Sequence, residues 1–146
     1  MEITRTIDTS APIDKVYAFL SDFTTTNDWD PGTVETKRIS GDGGVGTDYH
    51  NTSKFLGRET ELVYTTKQLE PSRLIRLEGN NKTVKATDTM TLTETPGGTQ
   101  VVYNAHFDFK GTVGKLAPVL SPLLALAFKK LGDEAEVGMK RALDAL

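Results

Sequence analysis

The chain has 146 residues, with 17 lysines and arginines against 20 aspartates and glutamates, a net charge of -3 and no cysteine. A chain of this length buries roughly 70% of its unfolded surface, so we predict one domain over residues 1–146 without a metal or disulfide staple. The lack of cysteine excludes disulfides and thiolate chemistry, and interspersed charges without a basic stripe argue against nucleic-acid binding.

Residues 1–8 lack the apolar core of a signal peptide. The longest uncharged apolar run, residues 116–128, is shorter than a bilayer-spanning helix and contains Pro118 and Pro122. These observations predict a soluble, cytoplasmic protein.

Alternation of apolar and polar residues predicts about seven strands in antiparallel succession. Only the first connection contains helices: one begins near residues 10–14, and a second, short one covers residues 24–30. The predicted strands cover residues 2–9, 33–39, 47–56, 58–69, 73–78, 83–95 and 100–110.

Residues 111–146 predict a long C-terminal helix that covers the apolar face of the sheet. Its first part carries no charge and contains two prolines, so we predict that this part is kinked or broken, with the break near Pro122. Its second part is amphipathic, and Leu124 and Phe128 begin its apolar side. Since a half-buried helix should show polar positions, the uncharged first part is either covered on all sides or exposes apolar surface as a portal, a dimer contact or a membrane-docking surface.

Strand alternation assigns side chains to faces. In the last strand Tyr103 and Phe107 belong to the apolar phase, and in the preceding strand Met90 does. Asp88 falls in the same phase as Met90. It either points inward or is turned to solvent by a bulge, and Arg58 and Arg76 are candidate inward partners. The phase of residues 58–69 stays open.

Three segments carry a family resemblance: Phe19-Leu20-Ser21-Asp22, Trp29-Asp30-Pro31-Gly32 and Gly44-Val45-Gly46-Thr47. With residues 69–74, 98–101 and 110–111 they make the chain similar to the polyketide cyclase/dehydrase branch of the START-like (SRPBCC) superfamily, which shares the helix-grip fold of the birch pollen allergen. The resemblance implies an α+β fold in which a curved, seven-stranded antiparallel sheet wraps around a long C-terminal helix. It also implies an apolar cavity between sheet and helix and, for the tryptophan at position 29, mainly a packing role.

The residues predicted to line the cavity share an inward strand phase or the apolar side of the helix, apart from Tyr64, whose phase stays open and which suits a pocket with an apolar body and a few hydroxyl tips. They are Tyr49, Asn51, Ser53, Tyr64, Asp88, Met90, Tyr103, Phe107, Leu124 and Phe128. Asp88 is the candidate catalytic residue, because a carboxyl in an apolar pocket can act as a general acid or base. His50 and His106 fall on outward faces without a partner at metal-ligand spacing, so no metal site and no cofactor is predicted.

Three functions fit these patterns and what the family resemblance implies. The first is the binding or transport of an apolar small molecule, lipid-like or polycyclic. The second is a polyketide cyclase or dehydratase that uses Asp88. The third is a protein-interaction module whose surface begins at Leu116 and ends at Leu126, a segment that also suits transient membrane contact. The sequence is compatible with a monomer or a homodimer.

Overall fold

The computed structural model describes all 146 residues. The first half contains β1 (Glu2–Thr9), α1 (Ile13–Ser21), a 3₁₀ turn (Phe23–Thr25), α2 (Thr26–Trp29), β2 (Thr33–Ser40) and β3 (Asp48–Phe55). The second half contains β4 (Arg58–Glu70), β5 (Leu74–Asn80), β6 (Val84–Thr95), β7 (Gly98–Phe109) and α3 (Gly111–Asp144).

All seven strands form one antiparallel sheet in the order β1-β7-β6-β5-β4-β3-β2. From β2 to β7 each strand pairs with the next strand along the chain, as short connections favour. The first strand, β1, pairs with the last strand, β7, and Ile3 lies opposite Ala105. Because α1 and α2 connect β1 to β2, they bridge the two edges of the sheet. The predicted helix-grip fold is therefore confirmed.

The inner face of the sheet follows the predicted alternation. On β6 the side chains of Ala86, Asp88, Met90 and Leu92 are buried. The intervening threonines face outward, as expected for a sheet with one solvated face. The open phase of β4 is also resolved, since Leu62 is buried and its neighbour Val63 is exposed.

The C-terminal half of α3 packs on the sheet and on α2. Its buried residues recur every three or four positions, as a helix with one buried stripe requires. They are Leu124, Phe128, Gly132, Ala135, Gly138, Met139 and Leu143. At Gly138 a Cβ atom would lie 2.0 Å from the Trp29 carbonyl oxygen, so only glycine permits this close approach of α3 to α2.

The predicted break near Pro122 is wrong, because α3 is one helix through both Pro118 and Pro122. Each proline removes one helical N–H, leaving the carbonyls of Gly114 and Pro118 without their usual donors. No residue between positions 111 and 123 is buried. Water can therefore hydrogen-bond to these carbonyls, and the helix tolerates both prolines.

Candidate functional site

A cavity of about 170 Å³ lies between the inner face of the sheet, α2 and α3. Seven of the ten predicted site residues line it: Asn51, Ser53, Tyr64, Asp88, Tyr103, Phe107 and Phe128. Exposed residues at its rim, including Val113 in the first turn of α3 and Thr83 between β5 and β6, bring its mouth to the surface.

Three of the predicted site residues lie beside the cavity rather than on it. Tyr49 is 1% exposed and packs against Phe23, with ring centroids 5.8 Å apart. Met90 is buried in the main hydrophobic core. Leu124 belongs to a smaller cluster with Ile3 and other apolar residues. Alternation placed Tyr49 and Met90 on the inner face and helical periodicity placed Leu124 on the apolar side of α3, but the curvature of the sheet and the position of α3 decide which side chains reach the cavity.

An aromatic group forms the apolar wall at the α3 side. The ring of Phe128 lies 4.8 Å from that of Phe55, 4.7 Å from that of Phe107 and 6.2 Å from that of Phe109. These three phenylalanines come from β3 and β7, so one helical residue is enclosed by rings from two separated strands. This wall offers apolar and π contacts to a ligand.

A hydrogen-bonded polar group forms a second wall. The Thr33 hydroxyl donates to Asp30 Oδ2 at 2.9 Å, and the Gly32 N–H donates to Asp30 Oδ1 at 3.0 Å. The Asn51 amide donates to the Thr33 hydroxyl at 3.3 Å, while the Ser53 hydroxyl donates to Asn51 Oδ1 at 2.7 Å. The polar atoms of this wall are therefore largely held by one another.

Asp88 is the one carboxyl of the cavity that this hydrogen-bonded group does not hold. It is 5% exposed, points inward from β6 and accepts no hydrogen bond from the protein. Burial, and then the charge of Asp30, raise the pKa of Asp88 from 3.8 to about 7. Neither arginine considered as its partner faces it: Arg58 is exposed at the start of β4, and Arg76 lies on the outward phase of β5.

Two tyrosines flank this carboxyl and share its environment. Burial, then the charges of Asp88 and Asp30, raise the pKa of Tyr64 and of Tyr103 well above the ordinary value of 10.0. Both phenols therefore stay neutral at physiological pH and can donate hydrogen bonds. Gly79 makes room for the Tyr64 ring, since a Cβ at that position would lie 2.7 Å from Tyr64 Cε1.

Sequence reasoning missed Asp30 and placed Trp29 mainly in a packing role. Trp29 is 2% exposed and also lines the cavity, with its ring 5.6 Å from that of Tyr103. Burial raises the pKa of Asp30, while the bonds from Thr33 and Gly32 act in the opposite direction. Strand alternation does not apply to Asp30, which follows α2 in a turn. Its position before Pro31-Gly32 was the available signal for such a turn.

Both histidines lie on the outward face, where they were predicted. The side chain of His50 is 38% exposed beside Glu61, and that of His106 is 45% exposed beside Asp108. No group of three or more His, Cys, Asp or Glu side chains suited to holding a metal ion is present in the chain.

The N-terminal half of α3 is not packed into the main hydrophobic core and exposes an apolar surface. We call residues 111–126 the projecting segment. Val119 is 76% exposed, Leu126 is 67% exposed and Leu123 is 56% exposed. A groove next to this segment runs between the β3–β4 turn, which contributes Leu56, and a rim that includes Lys130.

By length and composition alone, α3 is long enough and apolar enough to cross a membrane. Its most apolar 18-residue window has a mean hydropathy of 1.5, and 11% of that window is buried. Residues 116–128 alone predict a helix too short to span a bilayer. The 18-residue window is longer because it includes a few charged residues.

The sheet, the gripped helix and the internal cavity together define a helix-grip protein with a pocket of mixed polarity. Over its full length, residues 1–146, the chain belongs to the family described as polyketide cyclase/dehydrase and lipid transport. The predicted family resemblance is thereby confirmed. The cyclase/dehydrase and lipid-transport descriptions cover ligands that are largely apolar, without specifying one.

Solved structures show the same fold at low sequence identity. The chain is similar to TTHA0849 from Thermus thermophilus, with a TM-score of 0.83 and 13% identity over 99% of this chain and 98% of that chain. It is similar to the Zhui aromatase/cyclase from a Streptomyces species, with a TM-score of 0.80 and 15% identity over 99% and 93% of the two chains. It is also similar to Ara h 8.0201, with a TM-score of 0.61 and 14% identity over 95% and 97%. No curated protein sequence matches the chain.

Proposed function

We propose that this protein binds a compact, mainly apolar small molecule in the cavity between the sheet and α3. The observation that carries the proposal is an internal cavity with an aromatic wall, a polar wall and one carboxyl, Asp88, without a protein partner. Most small-molecule sites combine an apolar lining with a few convergent polar groups in this way. The family description, which includes lipid transport, supports the same function.

The size of the cavity narrows the class of ligand. Drug-sized ligands occupy pockets of about 300–1,000 Å³, whereas this cavity measures about 170 Å³. A ligand with one or two rings, or a short chain, fits this volume without rearrangement. A large polycycle requires the aromatic wall around Phe128 to move.

A matched pair of variants tests binding in the cavity. Val84 lines the cavity from β6, and its neighbour Lys85 faces away. Val84→Phe should fill the mouth and weaken the binding of an apolar fluorescent probe at least about tenfold, while Lys85→Phe should leave it unchanged. Mass spectrometry after gentle extraction should detect a small molecule that copurifies with the wild type. Equal probe affinity in both variants and no copurifying molecule would refute the proposal.

A second candidate function is catalysis by the same cavity as a cyclase or dehydratase. One observation favours it: Asp88 has a pKa of about 7 and lies beside the neutral phenols of Tyr64 and Tyr103. A general acid or base works best with a pKa near the operating pH, and tyrosine hydroxyls can orient a carbonyl substrate. The similarity to an aromatase/cyclase adds support at the level of fold.

The substitution Asp88→Asn separates catalysis from binding. Turnover of a poly-β-ketone test substrate should fall by about 10²–10⁴, the usual contribution of a positioned acid or base. Affinity for an uncharged apolar probe should change little. Turnover that survives the substitution would exclude the proposed catalytic role, and binding by the cavity would remain as the function.

The projecting segment is proposed as the surface through which the protein meets a lipid bilayer. Most of it belongs to the uncharged run from Leu116 to Phe128, and lysines border that run, Lys115 before it and Lys129 after it. Apolar side chains bordered by lysines suit the interface of an anionic bilayer, where lysine stems extend toward the headgroups. Val113 belongs to both the segment and the cavity rim, so a bilayer contact would lie beside the cavity mouth.

Vesicle sedimentation tests this contact. Wild-type protein should sediment with vesicles that contain phosphatidylglycerol, and Leu126→Glu should abolish sedimentation because a carboxylate resists insertion. Val137→Glu is the matched control, since Val137 is 66% exposed on the polar half of the same helix. Equal sedimentation of the two variants would exclude a bilayer as the partner of this segment. Self-association lost only in Leu126→Glu would identify a second copy of the chain as the partner instead.

A further inference from the structure

The Asp88 carboxylate is a buried acceptor in the lining of the cavity. It sits in the middle of β6, with Leu77 of β5 on one side and Ala105 of β7 on the other. It is 5% exposed and receives no hydrogen bond from a backbone N–H, a hydroxyl or an amide. A buried carboxylate is expensive unless donors or a cation satisfy it, so its missing partner is expected from outside the protein.

The cavity contains no cation that balances this charge. Among its lining residues the one basic side chain is Lys54, which is exposed and points to the outward phase of β3. The arginine of β1, Arg5, does not line the cavity and pairs with Asp133 at 2.8 Å and with Glu136 at 3.6 Å. The second carboxyl of the cavity, Asp30, adds negative charge. The interior therefore attracts cations and repels carboxylates and phosphates.

The aromatic rings near Asp88 point in the same direction. Tyr64, Tyr103 and Trp29 all line the cavity, and the Trp29 and Tyr103 rings meet edge to face at 78°. The faces of tyrosine and tryptophan rings attract ammonium groups, most strongly where water is excluded. Rings and carboxylates thus form two independent features that favour a positively charged group.

We propose that the ligand of this cavity carries a protonated amine on a compact apolar body, and that the amine forms an ion pair with Asp88. The proposal rests on the function proposed above, that the cavity binds an apolar small molecule. An ammonium supplies both the charge and the hydrogen-bond donors that Asp88 lacks, and charge-assisted bonds are about twice as strong as neutral ones. The aromatic wall around Phe128 receives the apolar body.

The pH dependence of binding distinguishes an amine from a neutral ligand. The titratable groups that face Asp88 are Asp30 from the turn after α2, Tyr64 from β4 and Tyr103 from β7. From α3 the cavity receives only apolar side chains and Gly132, while β5 presents Leu77. An amine needs the ionised carboxylate, so its affinity rises as pH passes upward through about 7. A neutral acceptor needs the protonated acid, so its affinity falls over the same range.

Three naphthalene probes of nearly equal size test the proposal: 1-naphthylmethylamine, 1-methylnaphthalene and 1-naphthoic acid. In calorimetric titration at about pH 8 the amine should bind at least about tenfold more tightly than the neutral probe. Asp88→Asn should remove at least tenfold of that preference. Asp108→Asn, at an exposed carboxyl on β7, is the control and should leave the preference intact.

Each outcome has a defined consequence. If the neutral probe or the naphthoate binds as tightly as the amine, the amine proposal is overturned while apolar binding stands. If none of the three binds, both the amine proposal and the proposed function fail. If Asp88→Asn does not fold, the wild type alone decides, because a pKa of about 7 implies an affinity for the amine about thirtyfold higher at about pH 8.5 than at about pH 5.5. Equal amine affinity at both pH values would overturn the proposal.

Discussion

Replacing Asp88 with asparagine should make the protein more stable above neutral pH. The rise of its pKa from 3.8 to about 7 means that the folded state binds a proton more tightly than the unfolded chain. At about 1.4 kcal/mol per pKa unit, this shift corresponds to as much as about 4 kcal/mol of destabilisation once the carboxyl is ionised in both states. Asparagine has nearly the same shape and never ionises, so the variant escapes this penalty.

The direction of the pKa shift determines the pH range in which wild type and Asp88→Asn differ in free energy of unfolding. Below about pH 4 both states carry a protonated Asp88, and wild type and variant should have nearly equal free energies of unfolding. Between about pH 4 and about pH 7 the folded protein keeps the proton and the unfolded chain releases it, so wild-type stability falls as pH rises. Above about pH 7 the difference reaches its full value in favour of the variant.

Urea unfolding at a series of pH values measures this difference. Trp29 is the single tryptophan and is 2% exposed, so its fluorescence reports the loss of the core around the cavity. Asp108→Asn makes the same chemical change at an exposed site and should run parallel to the wild type. Parallel curves for Asp88→Asn, or a variant less stable than wild type at about pH 8, would refute the assignment of Asp88 as a buried, unpartnered carboxyl.

Three further substitutions test the packing around the cavity. Gly79→Ala should displace the Tyr64 ring and cost about 1–3 kcal/mol in urea unfolding, and Gly138→Ala, which meets the Trp29 carbonyl at 2.0 Å, should cost at least as much. Gly97→Ala is the control for both, since a Cβ at position 97 meets nothing within 4 Å. If Gly79→Ala and Gly138→Ala lose no more free energy of unfolding than Gly97→Ala, the packing described at these two glycines is wrong. Phe128→Ala should cost about 3–5 kcal/mol and admit larger probes, whereas a loss below about 1 kcal/mol would mean that the aromatic wall is not packed.

Much of the sheet could be predicted because alternation is a local signal. β6 and β7 pair residue for residue without a bulge. The apolar phase in their sequences therefore forms the inner face of the sheet. The inward placement of Asp88 and Met90 follows from this rule. Whether an inward residue reaches the cavity depends on the curvature of the sheet and the position of α3, which alternation does not encode. Tyr49 therefore lies in the core although its phase was predicted correctly.

The remaining errors come from features that strand patterns do not describe. Asp30 lies in a turn, and its approach to Asp88 depends on contacts between α2 and α3 that are distant in sequence, above all the close approach at Gly138. The predicted helix break assumed that two prolines four residues apart interrupt the helix. In the projecting segment the freed carbonyls are open to water, so the loss of two hydrogen bonds does not end the helix.

The placement of Asp88 is better explained by a site than by the fold. Its phase on β6 is otherwise apolar, with Ala86 and Met90 as its nearest inward neighbours, and an apolar residue at position 88 would complete the core without the cost of a buried carboxyl. No ion pair or hydrogen bond within the protein offsets that cost. Strain and unpaired polar groups of this kind concentrate where a protein trades stability for function. Since the cost disappears when a donor enters the cavity, binding of such a ligand and stability must be linked: the ligand that stabilises this protein most above neutral pH should be the one that satisfies Asp88.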